Sequence, residues 1–422
     1  MKYLIYLTSL AMCGASTASV AAVQKPGSVE GSVSALAAPA LTDEELRSEA
    51  KANRAFGVRL YQQLAKKPGN VFMSPVSIAA AFGPVTLGAR AETYAAVSRT
   101  MGFRPLPDLM VKRVAGLLGA LDSEKGEEGA KVGIANALWV TERHPAKPDF
   151  VSQVRSGFGS AAETLDFNDS PAAAKRINDW AAGETEGKIT KLFDDNAFND
   201  ATALVVTNAV HFLGDWTQPF NAIHTKPEPF FLADGTRRMV PMMGGEKGVK
   251  YFADKQMQMI DLPYKGDALS MVVILPTVRD GLAALEAKLN PAALDDWLHK
   301  LDTAQDPDFV EGVFVQMPKL QLDNDHNLTD PLKSMGMGIA FDRNRANFRG
   351  MSDEQLFISD ALHKTFLRID EKGTEAAAAT AVVMSAERSG PEITFRADHP
   401  FLLLIRDKKS GAILFMGRIV EP

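Results

Sequence analysis

The sequence predicts an α+β fold with largely antiparallel sheets, built as one large domain. Three observations carry this. Helical patterns concentrate in the first half, strand-like runs rich in β-branched residues concentrate in the second, and no regular βαβ alternation or internal repeat connects them. The chain has 422 residues, 46% of them hydrophobic, which is enough for one large core or two ordinary ones. No linker follows residue 42, which favours one.

Residues 1–22 read as an export signal. Lys2 gives a positive start, Tyr3 to Met12 is mostly apolar yet too short to span a bilayer, and small residues follow from Gly14. Cleavage fits after Ala18 or Ala22. The single cysteine, Cys13, lies inside this segment. Lipid attachment at Cys13 is the alternative, but the bulky Met12 precedes it where a small residue is expected. Without the signal the chain has no cysteine, hence no disulfide, thiolate nucleophile or Cys-based metal site. The expected location is secreted, periplasmic or extracellular, with no membrane partner. Residues 23–41, rich in Ala, Ser, Gly, Pro and Val, read as a flexible leader.

Order is expected to start at Thr42. Thr42 with Glu45 forms a capping box, and Leu46, Ala50, Phe56, Leu60 and Leu64 follow at roughly helical intervals. Ser74-Pro75, Ser170-Pro171 and Asn290-Pro291 each read as a cap followed by proline at the first helical position, where no N–H is needed. Strand-like runs cover Ala203–Leu213, Ala268–Leu275, Val313–Leu320, Phe366–Ile369 and Ile393–Phe395. Phe401–Ile405 and Ile413–Val420 flank a polar turn and read as a hairpin.

The chemistry of an enzyme is missing. There is no Gly-x-Ser-x-Gly elbow, and none of the seven histidines is followed by glutamate, which removes the His-Glu-x-x-His zinc motif. Gly183 to Ile189 is one residue short of a phosphate loop and lacks Ser or Thr after Lys188. The net charge of −6, with no long basic run, gives nucleic acid no surface to bind. No cofactor is expected.

One segment breaks a local rule. Glu371 to Met384 reads Glu-Lys-Gly-Thr-Glu-Ala-Ala-Ala-Ala-Thr-Ala-Val-Val-Met. Alanine is the best helix former, yet this run has no apolar stripe to hold a helix down and sits between strand-like runs. It is either a surface helix or linker, or a segment that can occupy two places, because small side chains fit between the strands of a sheet.

Glu371-Lys372-Gly373-Thr374-Glu375-Ala376-Ala377-Ala378-Ala379-Thr380 resembles the hinge of the inhibitory serpins. The likeness runs from about residue 42 to 420. It includes Asn70 to Ile78, Leu87-Gly88-Ala89 to Thr93, Ile177 to Trp180 and Thr185 to Ile189. It continues through Thr207 to Phe212 with Gly214-Asp215-Trp216, Leu262-Pro263-Tyr264 with Ser270-Met271, His363-Lys364, His399-Pro400-Phe401 and Leu414 to Arg418. Arg368 departs from the Glu of many members, and His211 and Leu213 from the common Tyr and Lys.

The resemblance implies the serpin fold, with an exposed reactive-centre loop at about residues 371–391, and a monomeric, non-enzymatic inhibitor of serine proteases, with cysteine proteases as a second class. The protease would cut the loop, remain acylated, and be carried off as the loop inserts into the central sheet. A carrier or folding helper is the alternative. By family position, Ser74, Ser77, Asn208 and His363 would form the shutter. Trp216, Lys319 and Glu371 would form the breach at the top of the sheet, and Thr374 would turn inward on insertion. The family commonly places the cut sixteen positions beyond the hinge glutamate, which gives Glu387-Arg388 and a glutamate-specific target. Arg388-Ser389 instead suits a trypsin-like pocket, where a carboxylate pairs with arginine. An apolar site such as Met384 is the third option.

Overall fold

Thr42 opens the first helix as its spacing to Glu45 requires. The computed structural model describes residues 41–103, 113–114, 116–119, 130–304, 312–374 and 393–422, and helix α1 spans Asp43–Leu64. The Thr42 hydroxyl accepts from the Glu45 N–H while the Glu45 carboxylate accepts from the Thr42 N–H. The signal and nearly all of the leader (residues 1–40), the run Glu375–Thr380, and Met384, Glu387, Arg388 and Ser389 lie outside the described residues.

Helix α2, Pro75–Gly88, is capped by the Ser74 hydroxyl and is buried on nearly every side, as suits a sequence that is apolar all round but for Ser77 and Thr86. Helices α3, Ala91–Met101, and α4, Pro148–Phe158, follow. Helix α5, Ser170–Glu184, corrects the expected cap by one residue. The Asp169 carboxylate takes the Ala172 N–H, and Ser170 becomes the first helical residue. A carboxylate suits the positive helix end, and the Ser170 hydroxyl is engaged by the Phe198 N–H. After α6, Leu282–Lys288, helix α7, Pro291–Asp302, is capped by Asn290 as expected. Among the described residues no helix is long and apolar enough to cross a membrane.

The described strands form three sheets. One joins β1 (Val71–Met73), β16 (Ile413–Ile419), β15 (Phe401–Asp407), β9 (Leu269–Pro276), β8 (Met257–Pro263) and β7 (Lys250–Ala253). The expected terminal hairpin is its antiparallel β15–β16 pair. A four-stranded sheet runs β14 (Ile393–Arg396), β10 (Val313–Pro318), β6 (Arg237–Lys247), β5 (Lys226–Phe231). The largest element for function is the sheet ordered β11 (Leu320–Asn327), β12 (Ile358–Ile369), β13 (Gly373–Thr374), β4 (Leu204–Asp215), β2 (Lys131–Thr141), β3 (Ala161–Leu165).

Most pairings are antiparallel; the parallel ones are β12–β4, β2–β3 and β10–β14. The expected strand Val313–Leu320 is two strands in two sheets, with Lys319 at the corner where the chain leaves one for the other. Pro318 ends the first by withholding a ladder donor. Strand β2 lies outside the runs singled out above. Its second half is buried on both faces, so its sequence never alternates. Helix α2 packs behind this sheet, and α5 lies against the other face through Ile177, Trp180 and Trp139.

Candidate functional site

Strands β4 and β12 lie side by side for most of their length, from Ile358 opposite Leu204 to Phe366 opposite His211. Beyond that they part. Gly373 and Thr374 fill the gap: Thr374 pairs with Gly214 of β4 on one side and Ile369 of β12 on the other, antiparallel to both. Glycine is required there, because a Cβ on Gly373 would sit 2.0 Å from the Gly214 carbonyl oxygen. Thr374 is fully buried, and its hydroxyl lies 2.9 Å from that of Tyr264. The resemblance has Thr374 turn inward on insertion; in the structure it is already inside.

The three expected breach residues come together around this wedge. Trp216 stacks on Tyr264 at 4.6 Å, donates its indole N–H to the Asp370 carbonyl, and gives its backbone N–H to the Lys372 carbonyl. The Glu371 carboxylate takes Lys319 at 2.7 Å and the Thr225 hydroxyl at 2.7 Å. Burial alone would raise the Glu371 pKa, but the hydrogen bonds from Lys319 and Thr225, its own backbone and the Lys319 charge outweigh it and hold it below its ordinary value.

Three supports here carried no expected role, although Tyr264 lies in a block of the resemblance. Tyr264 and Thr225 touch the hinge directly. Lys247 is buried, caps the Gln218 and Pro219 carbonyls, and lies over the ring of Phe220, whose N–H donates to the Glu371 carbonyl. Burial brings Lys247 down to about 8. No local pattern marks a lysine for that position.

The four expected shutter residues also meet. His363 Nδ1–H donates to Asn208 Oδ1 at 2.5 Å, and the Ser74 N–H donates to His363 Nε2 at 3.0 Å. The Asn208 amide reaches Ser77 Oγ and Asn136 Oδ1, both at 2.5 Å. Since Nε2 accepts, His363 is neutral. Burial first, and then the neighbouring His326, hold its pKa well below 6.5. The register places His326, His363, Asn208 and Asn136 in one row across β11, β12, β4 and β2. Asn136 and His326 were not among the expected residues, because a row is written in strand register and not in any one stretch of sequence. The row ties the central strands to each other, and through Ser74 and Ser77 to α2 behind them. The β4–β12 seam cannot open there without breaking the His363–Asn208 bond.

A family model described as Serpin (serine protease inhibitor) matches residues 51–422. The chain belongs to the serpin family. Leukocyte elastase inhibitor of Homo sapiens is 35% identical to this serpin over 383 residues, covering 88% of this chain and 98% of that one. Serpin48 of the insect Tenebrio molitor shares the fold with a TM-score of 0.79 and 26% identity, over 90% of this serpin and 99% of that chain. Human thyroxine-binding globulin, solved with its ligand, matches at a TM-score of 0.79 and 27% identity, over 90% and 99%.

The breach yields one prediction for this serpin. Lys319 is 36% and Glu371 12% exposed, so the pair is more than two solvated charges. Glu371→Lys places two cations together and leaves the Thr225 hydroxyl without its acceptor. Polymerisation or spontaneous loss of activity on mild heating is expected to rise several-fold over wild type, read by native gel and residual inhibition. The depressed Glu371 value also sets a pH window. Its stabilisation is complete above the ordinary carboxylate value of 4.5 and declines as pH falls toward the folded value.

Proposed function

We propose that this serpin is a suicide-substrate inhibitor of serine proteases, acting as a partner for a protease and not as a catalyst. The observation that carries the reading is the seated hinge. Gly373 and Thr374 already form a strand between β12 and β4, in the orientation a longer insertion would continue. A protease acylated on the loop beyond would be drawn along the sheet before water could release it. Roughly fifteen residues at about 3.3 Å each give a travel of about 50 Å. That is close to the diameter of about 50 Å expected for a compact domain of this size. We further propose that residues 1–22 direct export and that the mature chain acts outside the cell.

The target is read from the loop as trypsin-like, with the bond at Arg388-Ser389; Glu387-Arg388 with a glutamate-specific protease comes second. Mixing the mature chain with trypsin should give a complex that survives denaturing gel electrophoresis. Mass spectrometry of the small fragment released from it should find a chain beginning at Ser389. A fragment beginning at Arg388 moves the bond to Glu387. Cleavage of the loop with no complex, across a panel of proteases, sinks the inhibitory reading. It would favour the second one, a carrier, for which the likeness to thyroxine-binding globulin is the supporting observation.

A further inference from the structure

The row across the central sheet holds two histidines where the seam needs one. His363 makes the bonds that close it, to Asn208 on β4 and from Ser74 ahead of α2. His326 faces His363 from the adjacent strand, rings nearly parallel at 24° and centroids 6.5 Å apart. It makes a different contact: Nε2–H donates to the Phe72 carbonyl at 3.2 Å, an acceptor it shares with the Thr365 hydroxyl.

The two rings differ in what a proton would do to them. His363 is completely buried and already uses both nitrogens, one as donor and one as acceptor. A proton on Nε2 would face the Ser74 N–H, two donors head to head, and that bond would be lost. His326 is only partly buried and keeps its Phe72 bond on Nε2 whether or not Nδ1 is protonated. It can be charged without loss of a contact, and its charge then lies 6.5 Å from the ring that must stay neutral. The groups facing His326 are the Phe72 carbonyl, Asp325 on its own strand, Lys67 beyond α1, and His363. Burial, the largest influence, holds the His326 pKa below its ordinary value; the Phe72 bond and Asp325 favour its charge and Lys67 opposes it. The groups packed on His363 among the described residues are Ser74, Asn208 and His326, none of them a carboxylate that would invite a proton. The nearby Lys364 is paired with Asp323.

We infer that His326 is an electrostatic guard: by taking the first proton on acidification, it keeps His363 neutral and the β4–β12 seam closed into more acidic solution. The guard follows from the strand register, the ring separation and the different use of the two rings' nitrogens. Its value to the protein rests on the proposed opening of the sheet for loop insertion. Across 6.5 Å of partly solvated interior, one charge moves a neighbour's titration by about one pH unit.

The test uses the full mature chain with carbon-13-labelled histidine, as wild type, His326→Gln and His326→Lys, with His363→Gln to assign the resonance. In His326→Gln the His363 ring should begin to titrate about one pH unit higher than in wild type. In His326→Lys, where the charge is permanent, it should stay at or below the wild-type position. No shift in His326→Gln, or an equal upward shift in both variants, overturns the guard. A second readout is spontaneous conversion to a heat-resistant, non-inhibitory form. At the acid pH where the wild-type His326 resonance shows it charged, His326→Gln should convert at least about threefold faster than wild type, with equal rates at about pH 8. If the titration shifts as expected but no form of the protein ever converts, the guard stands and the insertion reading falls.

Discussion

On the proposed mechanism, replacing Thr374 by arginine is expected to turn this serpin from an inhibitor into a substrate. Thr374 is fully buried against Tyr264, which Trp216 stacks on, with strands on both sides and no carboxylate within its hydrogen-bond set. A guanidinium there would be an unpaired buried charge, costing about 3–5 kcal/mol. Because Thr374 is seated before any cleavage, the arginine should first expel the hinge from the uncleaved sheet. It should then slow insertion after cleavage. Each 1.4 kcal/mol added to that barrier slows insertion about tenfold, which is enough for deacylation to win the race. The protease should cut the variant at the wild-type bond and leave active. Titration of protease against inhibitor, with a denaturing gel, reads the outcome. Stable complexes at the wild-type stoichiometry would show that trapping does not depend on this strand.

The second large effect is expected at the shutter. His363→Ala strands the Ser74 N–H and the Asn208 carbonyl oxygen, both buried, at about 1–3 kcal/mol each. It also leaves a void in place of the ring. For a domain of this size, a total of about 4 kcal/mol lowers the apparent Tm by about 5 °C. The lost seam bond should also speed spontaneous conversion at least tenfold. Thermal melting and residual inhibition over days at 37 °C are the measurements; no change in either would exclude a role in holding the sheet shut. The pH dependence has a definite sign. Above pH 6.5 His363 is neutral folded or unfolded; below it the unfolded chain takes a proton that the native fold refuses. Native stability should therefore fall as pH drops from 6.5 toward the folded value, and His363→Ala should lose that slope.

Much of the fold was legible because its signals are local. The Thr42–Glu45 box and the caps at Ser74 and Asn290 need only three or four neighbouring residues to form. Other features depend on distant partners. Asp169 takes the cap of α5 partly because Phe198 engages Ser170 from 28 residues away. The corner at Lys319 exists because β6 offers the Pro241 carbonyl to its N–H. The site divides in the same way. Glu371, Gly373 and Thr374 form one short motif and were found together. His326 and Asn136 enter only when β11 and β2 are set in register beside β12 and β4.

The double pairing of β13 also bears on kinetics. Bringing the first residues of a strand between two others is the entropically costly, nucleating part of building it. On the proposed mechanism that part is complete before any protease arrives, and only propagation remains. Thr374 opposite Gly214 and Ile369 fixes the frame for each later step. Continued unchanged, that frame would bring Thr380 opposite both Asn208 and His363, on the same face as Thr374. A hydroxyl both donates and accepts, so it can be handed the donor of one and the acceptor of the other at the moment their own bond is broken. On the proposed mechanism, opening the seam at its most strongly tied point would then be an exchange of partners, advancing like the closing of a zipper whose first teeth are already engaged.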